Sequence, residues 1–485
     1  MQEAATTPTT PKKQSRGTKF IKDLGIYAIG NIGAKAITFF MVPLYTYFVD
    51  APSDYGYYDL SLTIIFLVMP FVTLQLRDGA FRFLIGSGSD EERRQLVSII
   101  YRVLGTMFMI SALITLLVAL IHPVGYLWYI FALLIAMCLQ EVVSQVFRGL
   151  GHTKAFVMVG IISALGTAIF SIILLVPLHM GIEGIFLANI LSRLLAIGLV
   201  ELKVQTLRRF FSIKVSSKDI ARDLLRYSLP LLPGSLCWWL LGSSDRWFVT
   251  HFLGLEATGI YAVAIRLTSI VQILTTIFYQ AWQETALRQY NSPDRNRFFS
   301  EMLNGYIFVL SALVIGFCFV VKMNYGWLVD DNYSASVLYL LPGAVSSAVF
   351  AVSAFFDLGY QCAKDTKRIL PSVMGCAALS VALNFAVVPI LGVWGVLADS
   401  IVCYLVLCTW RWHDMKRYMT LRIEKRTLLP VSLLLITAVP YYLDTAWWQD
   451  LLVLLLAIVI LWKICPPIVQ RRVKEMASKA KARLA

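Results

Sequence analysis

Gly181-Ile182-Glu183-Gly184-Ile185-Phe186-Leu187-Ala188 recurs as Gly392-Val393-Trp394-Gly395-Val396-Leu397-Ala398, 211 residues further on. Two shorter pairs keep nearly the same offset. Tyr55-Gly56-Tyr57-Tyr58 is echoed by Thr258-Gly259-Ile260-Tyr261 at 203, and Thr153-Lys154 by Thr366-Lys367 at 213. Such self-similarity marks an internal duplication. Each string opens or precedes a long apolar run, and those runs decide what is duplicated. Of 485 residues 58% are apolar and 15% charged, and the mean hydropathy is +0.71. A soluble domain carries about 45–50% apolar and about 25% charged residues, so this excess has no soluble core to hide in.

A bilayer-spanning helix takes about 20 mostly apolar residues. Fourteen runs fit: 24–48, 57–76, 96–121, 124–147, 155–177, 182–203, 227–249, 258–282, 298–321, 334–360, 369–390, 393–411, 427–443 and 448–464. The expected fold is an all-α polytopic membrane protein of about 14 transmembrane helices. The repeat offset equals six runs, and an even number keeps both copies in one orientation. Two parallel six-helix lobes follow, related by an axis along the membrane normal. They are residues 1–212 and 213–425, with an extra helix pair and basic tail over 426–485; the division falls in the longest interior connection, from Gln205 to Arg226. The first run, Gly25 to Val49, is too long for a signal-peptide core and stays in the membrane.

The formal charge of +14 would suggest nucleic acid in a soluble protein. In a membrane protein, basic residues collect in cytoplasmic loops instead, so no nucleic-acid partner is expected. With a cytoplasmic N-terminus, the tails and the loops after even-numbered spans hold 37 of the 43 Lys and Arg residues, and external loops only Lys322. Both termini are then cytoplasmic, in the inner membrane. Eight cysteines form no CxxC, five histidines no HExxH, and there is no GxxxxGK[ST] phosphate loop. Neither a metal site, nor a cofactor, nor ATP hydrolysis is indicated.

With its two six-helix lobes, the chain resembles the polysaccharide flippases of the multidrug/oligosaccharidyl-lipid/polysaccharide exporter superfamily. The likeness rests on the GxxG starts of the sixth and twelfth spans, Tyr227-Ser228-Leu229-Pro230-Leu231-Leu232-Pro233-Gly234, and Asp245-Arg246 followed by Ala257-Thr258-Gly259-Ile260-Tyr261. It implies transfer of undecaprenyl-diphosphate-linked oligosaccharide units to the outer leaflet for O-antigen, capsule or exopolysaccharide synthesis, beside polymerase and assembly proteins. A multidrug cation exporter and a lipid II flippase of the same superfamily are the nearest alternatives. A membrane oligosaccharide polymerase fits less well, because the external connections are too short for a catalytic domain. The protein is expected not to be an enzyme.

The candidate site comes from charges inside spans, each costing at least about 2.5–3.5 kcal/mol and therefore facing a wet cavity or a partner. Arginine suits phosphate oxygens through its planar fork, and lysine through its point charge. The expected substrate-binding cations are Lys35, Arg82, Arg193, Arg246 and Arg266. Asp59, Asp245, Asp357 and Asp399 are candidates to carry a coupling ion, a proton or sodium. Asp59 and Thr63 share a helix face, and the 203 offset maps Thr63 onto Arg266, so Asp59 and Arg266 should project from equivalent faces of the second and eighth helices across a shared central space. Trp238, Trp239 and Tyr279 offer faces for sugars. Pro43, Pro70, Pro230, Pro233 and Pro342 interrupt helices and suit lobes that rock about the site. The orientation predicts that a green fluorescent protein fused after Ala485 fluoresces and alkaline phosphatase fused there is inactive; the opposite pair of results would overturn it.

Overall fold

The structure is a computed structural model that describes residues 37–466 apart from 38, 50, 213–216, 364, 444 and 445. Its first described helix is α1 (Phe39–Phe48). It is followed by α2 (Pro52–Thr73), α3 (Leu76–Gly86), α4 (Asp90–Ile121), α5 (Leu127–Gly149), α6 (Thr153–Leu175) and α7 (Gly181–Val204). The middle of the chain holds α8 (Thr206–Phe210), α9 (Lys218–Ser228), α10 (Leu232–Gly242), α11 (Asp245–Leu253) and α12 (Leu255–Gln289). The rest is α13 (Arg295–Met323), α14 (Tyr325–Leu328), α15 (Val337–Cys362), α16 (Ile369–Leu391), α17 (Val393–Met415), α18 (Leu428–Tyr442) and α19 (Trp447–Ile464).

Eleven of the described helices are long and apolar enough to cross a membrane. The fourteen apolar runs of the sequence differ from this number for local reasons. The first run lies partly outside the described residues, and the thirteenth forms the 15-residue α18. The seventh is split into α10 and α11 at Gly242-Ser243-Ser244, residues that favour caps and turns over helix interiors. The Gln205–Arg226 connection is itself partly helical: α9 is capped by Ser217, whose hydroxyl accepts from the Ile220 amide at 3.4 Å.

The repeated glycines have a backbone cause. Gly181 and Gly392 take φ values of +54° and +60°, a region nearly closed to residues with a Cβ. Each turns the chain from one long helix into its antiparallel neighbour, α6 into α7 and α16 into α17. The second repeated pair lies where the halves touch. A Cβ on Gly56 would stand 2.0 Å from the Leu255 carbonyl oxygen, and one on Gly259 would stand 1.9 Å from that of Pro52. Helices α2 and α12 therefore start side by side in backbone contact. Farther along, the αL residues Leu74 and Gln75 end α2, and the Gln75 amide bonds to the Ser235 hydroxyl of α10. Gly79 of α3 lies against Ser228 of α9. The halves thus meet at both ends of α2–α3, with the middle of α2 between.

A core containing Tyr45, Tyr55, Leu133, Phe186, Leu267 and Tyr333 runs across these helices. The terminal helices are pinned to α13, where Lys322 Nζ lies 3.0 Å from Asp450 Oδ1 and donates to the Leu443 carbonyl at 3.1 Å. Lys322, expected in an external loop, is partly buried there. The Gly56–Gly259 crossing predicts that Gly56→Ala or Gly259→Ala forces α2 and α12 apart. In a background lacking native cysteines, a cysteine at Thr63 should then react several-fold faster with an impermeant maleimide added from the Gly56 side. Unchanged reactivity would show that this crossing does not seal the protein.

Candidate functional site

Between those two closures lies a cavity of about 490 Å³, within the roughly 300–1,000 Å³ range of ligand pockets. Tyr45, Tyr58, Asp59, Asn189, Arg193 and Arg266 are among its walls, with Arg246 beside the break between α10 and α11. Asp59, on the second turn of α2, is 5% exposed. Its Oδ2 accepts from Arg246 Nε at 2.9 Å and its Oδ1 from Arg266 Nη2 at 3.1 Å. Arg246 also pairs with Asp245 at 2.8 Å, and the Tyr261 hydroxyl donates to that same aspartate. The α10–α11 break makes this possible: Asp245 opens α11 and turns back onto the Arg246 amide at 2.9 Å, which aims Arg246 across at α2.

Arg266 sits among rings, its guanidinium carbon 5.0 Å from the Tyr55 centroid, 5.4 Å from Tyr58 and 6.0 Å from Tyr45. The negative ring faces favour the cation. Arg193 differs from both. Its Nη1 donates to the carbonyl and side-chain oxygens of Asn189 at 2.9 and 2.8 Å, and among the described residues no carboxylate pairs with it. The cavity group therefore holds three guanidiniums against Asp59 and Asp245, one cation more than the acids neutralise. Electrostatically it suits an anion that presents several oxygens to planar forks.

The other expected residues fall elsewhere. Lys35 lies outside the described residues. Arg82 is exposed on α3 and does not line the cavity; neighbouring Arg77 pairs with Glu141 at 2.8 Å. Asp357 of α15 lies 2.9 Å from Arg411 Nη1 of α17. Asp399 accepts from Ser380 Oγ and Asn384 Nδ2, both at 2.6 Å, and from Cys403 Sγ at 3.2 Å. No cation contacts it among the described residues. The Trp239 indole N–H donates to the Thr63 carbonyl at 2.9 Å.

Sequence reasoning missed Arg411. It sits at the last position of the twelfth run, where a loop cation was expected, yet it is fully buried. The signal was Asp357, an acid in a span with no partner assigned. Gln140, Ser163 and Thr167 also line the cavity, and as isolated polar residues in apolar helices they carried no distinguishing mark.

The chain is a polytopic helical bundle with a charged cavity lined from both halves of the sequence. A family model described as "Polysaccharide biosynthesis protein" matches residues 20–282, more than half of the chain, and the chain belongs to that family. Among solved structures it is similar to lipid II flippase MurJ in an inward closed conformation, with TM-score 0.69 and 12% identity over 92% of this chain and 98% of that one. It is also similar to an inward-facing multidrug resistance MATE family transporter of the MOP superfamily, with TM-score 0.62 and 16% identity over 82% and 98%. An outward-facing MATE structure gives TM-score 0.58 and 14% identity over 84% and 99%. No curated protein matches by sequence. The chain shares its fold with these flippase and MATE structures.

The Asp59 network predicts that Asp59→Asn, by leaving two buried guanidiniums under-compensated, destabilises the protein by about 3–5 kcal/mol. Arg193→Ala, which removes a charged group's bonds to a neutral partner and leaves no charge unpaired, should cost less, about 1.5–3 kcal/mol. Thermal unfolding in detergent compares the two; equal losses would contradict the assignment.

Proposed function

We propose that the protein moves undecaprenyl-diphosphate-linked oligosaccharide repeat units from the inner to the outer leaflet of the cytoplasmic membrane by alternating access. The product would feed O-antigen, capsule or exopolysaccharide assembly. The observation that carries this reading is the cluster of Arg193, Arg246 and Arg266 around one cavity with a single carboxylate, Asp59, in its wall. A diphosphate presents the oxygens that such forks bind, while a prenyl tail can remain among lipid chains. An organic cation would meet a positive surplus there. Both termini are taken as cytoplasmic, which places the Gly56–Gly259 closure on the outer side. Lys35 belongs to the same substrate-binding group in this reading, and Arg82 to the cytoplasmic approach.

Coupling is assigned to the acids. Asp59 and Asp357 are already matched by arginines, and Asp245 by Arg246. Among the described residues Asp399 is held only by uncharged donors, and the neighbouring Asn384 Oδ1 is buried with no partner. That pair suits a proton or sodium ion, whose arrival would bias one arrangement of the halves.

The test is translocation of a labelled undecaprenyl-diphosphate oligosaccharide in proteoliposomes. Arg193→Ala and Arg266→Ala should each slow it at least tenfold, the loss of one charge-assisted phosphate contact of about 1.5–3 kcal/mol, and Asp399→Asn should abolish its response to an imposed ion gradient. Wild-type rates in both arginine variants, or transport of tetraphenylphosphonium in place of the glycolipid, would overturn the reading.

A further inference from the structure

The second half of the chain contains another cavity, of about 210 Å³, between α12, α13 and α15. Its chemistry differs from that of the arginine site. Tyr279, Trp282, Phe350 and Phe355 supply aromatic walls, and Asp357 supplies one carboxylate. Trp282 and Phe355 stack with centroids 5.1 Å apart and planes 10° from parallel. Trp282 is 2% exposed, yet its indole N–H has no hydrogen-bond partner among the described residues. A buried donor left unmade is costly and calls for a partner. The Tyr279 hydroxyl accepts from Gln361 Nε2 at 3.0 Å, and among the described residues its own hydrogen has no acceptor.

The charge balance selects the ligand class. Arg411 lies 2.9 Å from Asp357 Oδ1, but its Nη1 donates to the Ser353 carbonyl at 3.0 Å. Arg411 thereby cancels the carboxylate's charge without filling its lone pairs. Aromatic faces alone would also attract an ammonium, but the donors here, the Trp282 N–H and the Tyr279 hydroxyl, find no acceptor on one. The pocket offers instead a stacking platform, two donors and an acceptor, which match the apolar face and hydroxyl edge of a pyranose. Tyr279 lies thirteen residues along α12 from Arg266, about 20 Å at the helical rise, a span for the first few sugars of a chain hung on a diphosphate at the arginine cavity.

We propose that this pocket is a sugar-reading subsite that takes one uncharged pyranose ring of the transported head group, with Trp282 donating to a ring hydroxyl and Asp357 accepting from one. The inference rests on the diphosphate reading of the arginine cavity, and its test separates the two. The full-length protein in nanodiscs is titrated with undecaprenyl diphosphate, with the undecaprenyl-diphosphate oligosaccharide fraction extracted from its native cells, and with tetraphenylphosphonium. Two variants probe the pocket: Trp282→Phe removes the N–H and keeps a ring, and Ala354→Leu fills the space from a wall residue. The wild type should bind the glycolipid more tightly than the bare diphosphate. Both variants should weaken glycolipid binding about tenfold, the value of one lost polar contact, and leave undecaprenyl diphosphate unchanged. Arg193→Ala should weaken both lipids. Glycolipid affinity unchanged in both pocket variants, no gain from the sugars in the wild type, or an effect confined to tetraphenylphosphonium would overturn the subsite. No effect of Arg193→Ala on either lipid would instead overturn the diphosphate reading.

Discussion

One carboxylate, Asp59, holds two guanidiniums from the other half of the chain, Arg246 at 2.9 Å and Arg266 at 3.1 Å. Three charges buried at membrane depth would be prohibitive singly and become tolerable as a hydrogen-bonded group beside a polar cavity. Much of the local architecture serves this contact. The Gly242-Ser243-Ser244 break lets Arg246 reach α2, the glycine crossing brings α12 close enough for Arg266, and three tyrosines surround the latter. Arg193 lines the same cavity and, among the described residues, bonds only to Asn189, which leaves its charge available to a ligand.

In the proposed transport cycle the same contact would make the site part of what moves. Asp59 belongs to one half and both of its arginines to the other, so separating the halves breaks the ion pairs and frees two more cations. An anionic ligand bridging those arginines would compete with Asp59 for the same hydrogens. In the proposed cycle, ligand binding and the relative position of the halves would thereby be linked without a remote signal, because each arrangement would offer the guanidiniums a different partner. The two closures, Gly56 against Gly259 and Gly79 against Ser228, lie at opposite ends of the cavity and need not open together.

Much of this fold was legible in the sequence, because apolar runs of bilayer length leave the backbone little choice but helix. The repeat was legible for a related reason: Gly181 and Gly392 occupy left-handed turns, and Gly56 and Gly259 a backbone crossing, where a Cβ would collide. That Asp59 and Arg266 face a common space followed from combining the repeat offset with helical periodicity; their direct pairing did not. What escaped depended on tertiary context. Nothing in Leu74-Gln75 announces two αL residues, because the break is held by Gln75 bonding to Ser235, 160 residues away. Arg411 looked like a loop cation until Asp357 was seen beside it. Arg82 was grouped with the deep arginines by its position after the second span, but α3 turns it outward.

The central claim is that the three arginines form one receptor for a diphosphate. It is tested most directly by a cryo-electron microscopy map of the protein in nanodiscs with undecaprenyl diphosphate bound. The account predicts phosphate density within hydrogen-bonding distance of Arg193, about 3 Å, bridging to Arg246 or Arg266, with Asp59 released from at least one of them. Phosphate density outside this cavity, with Asp59 still holding both arginines, would contradict it.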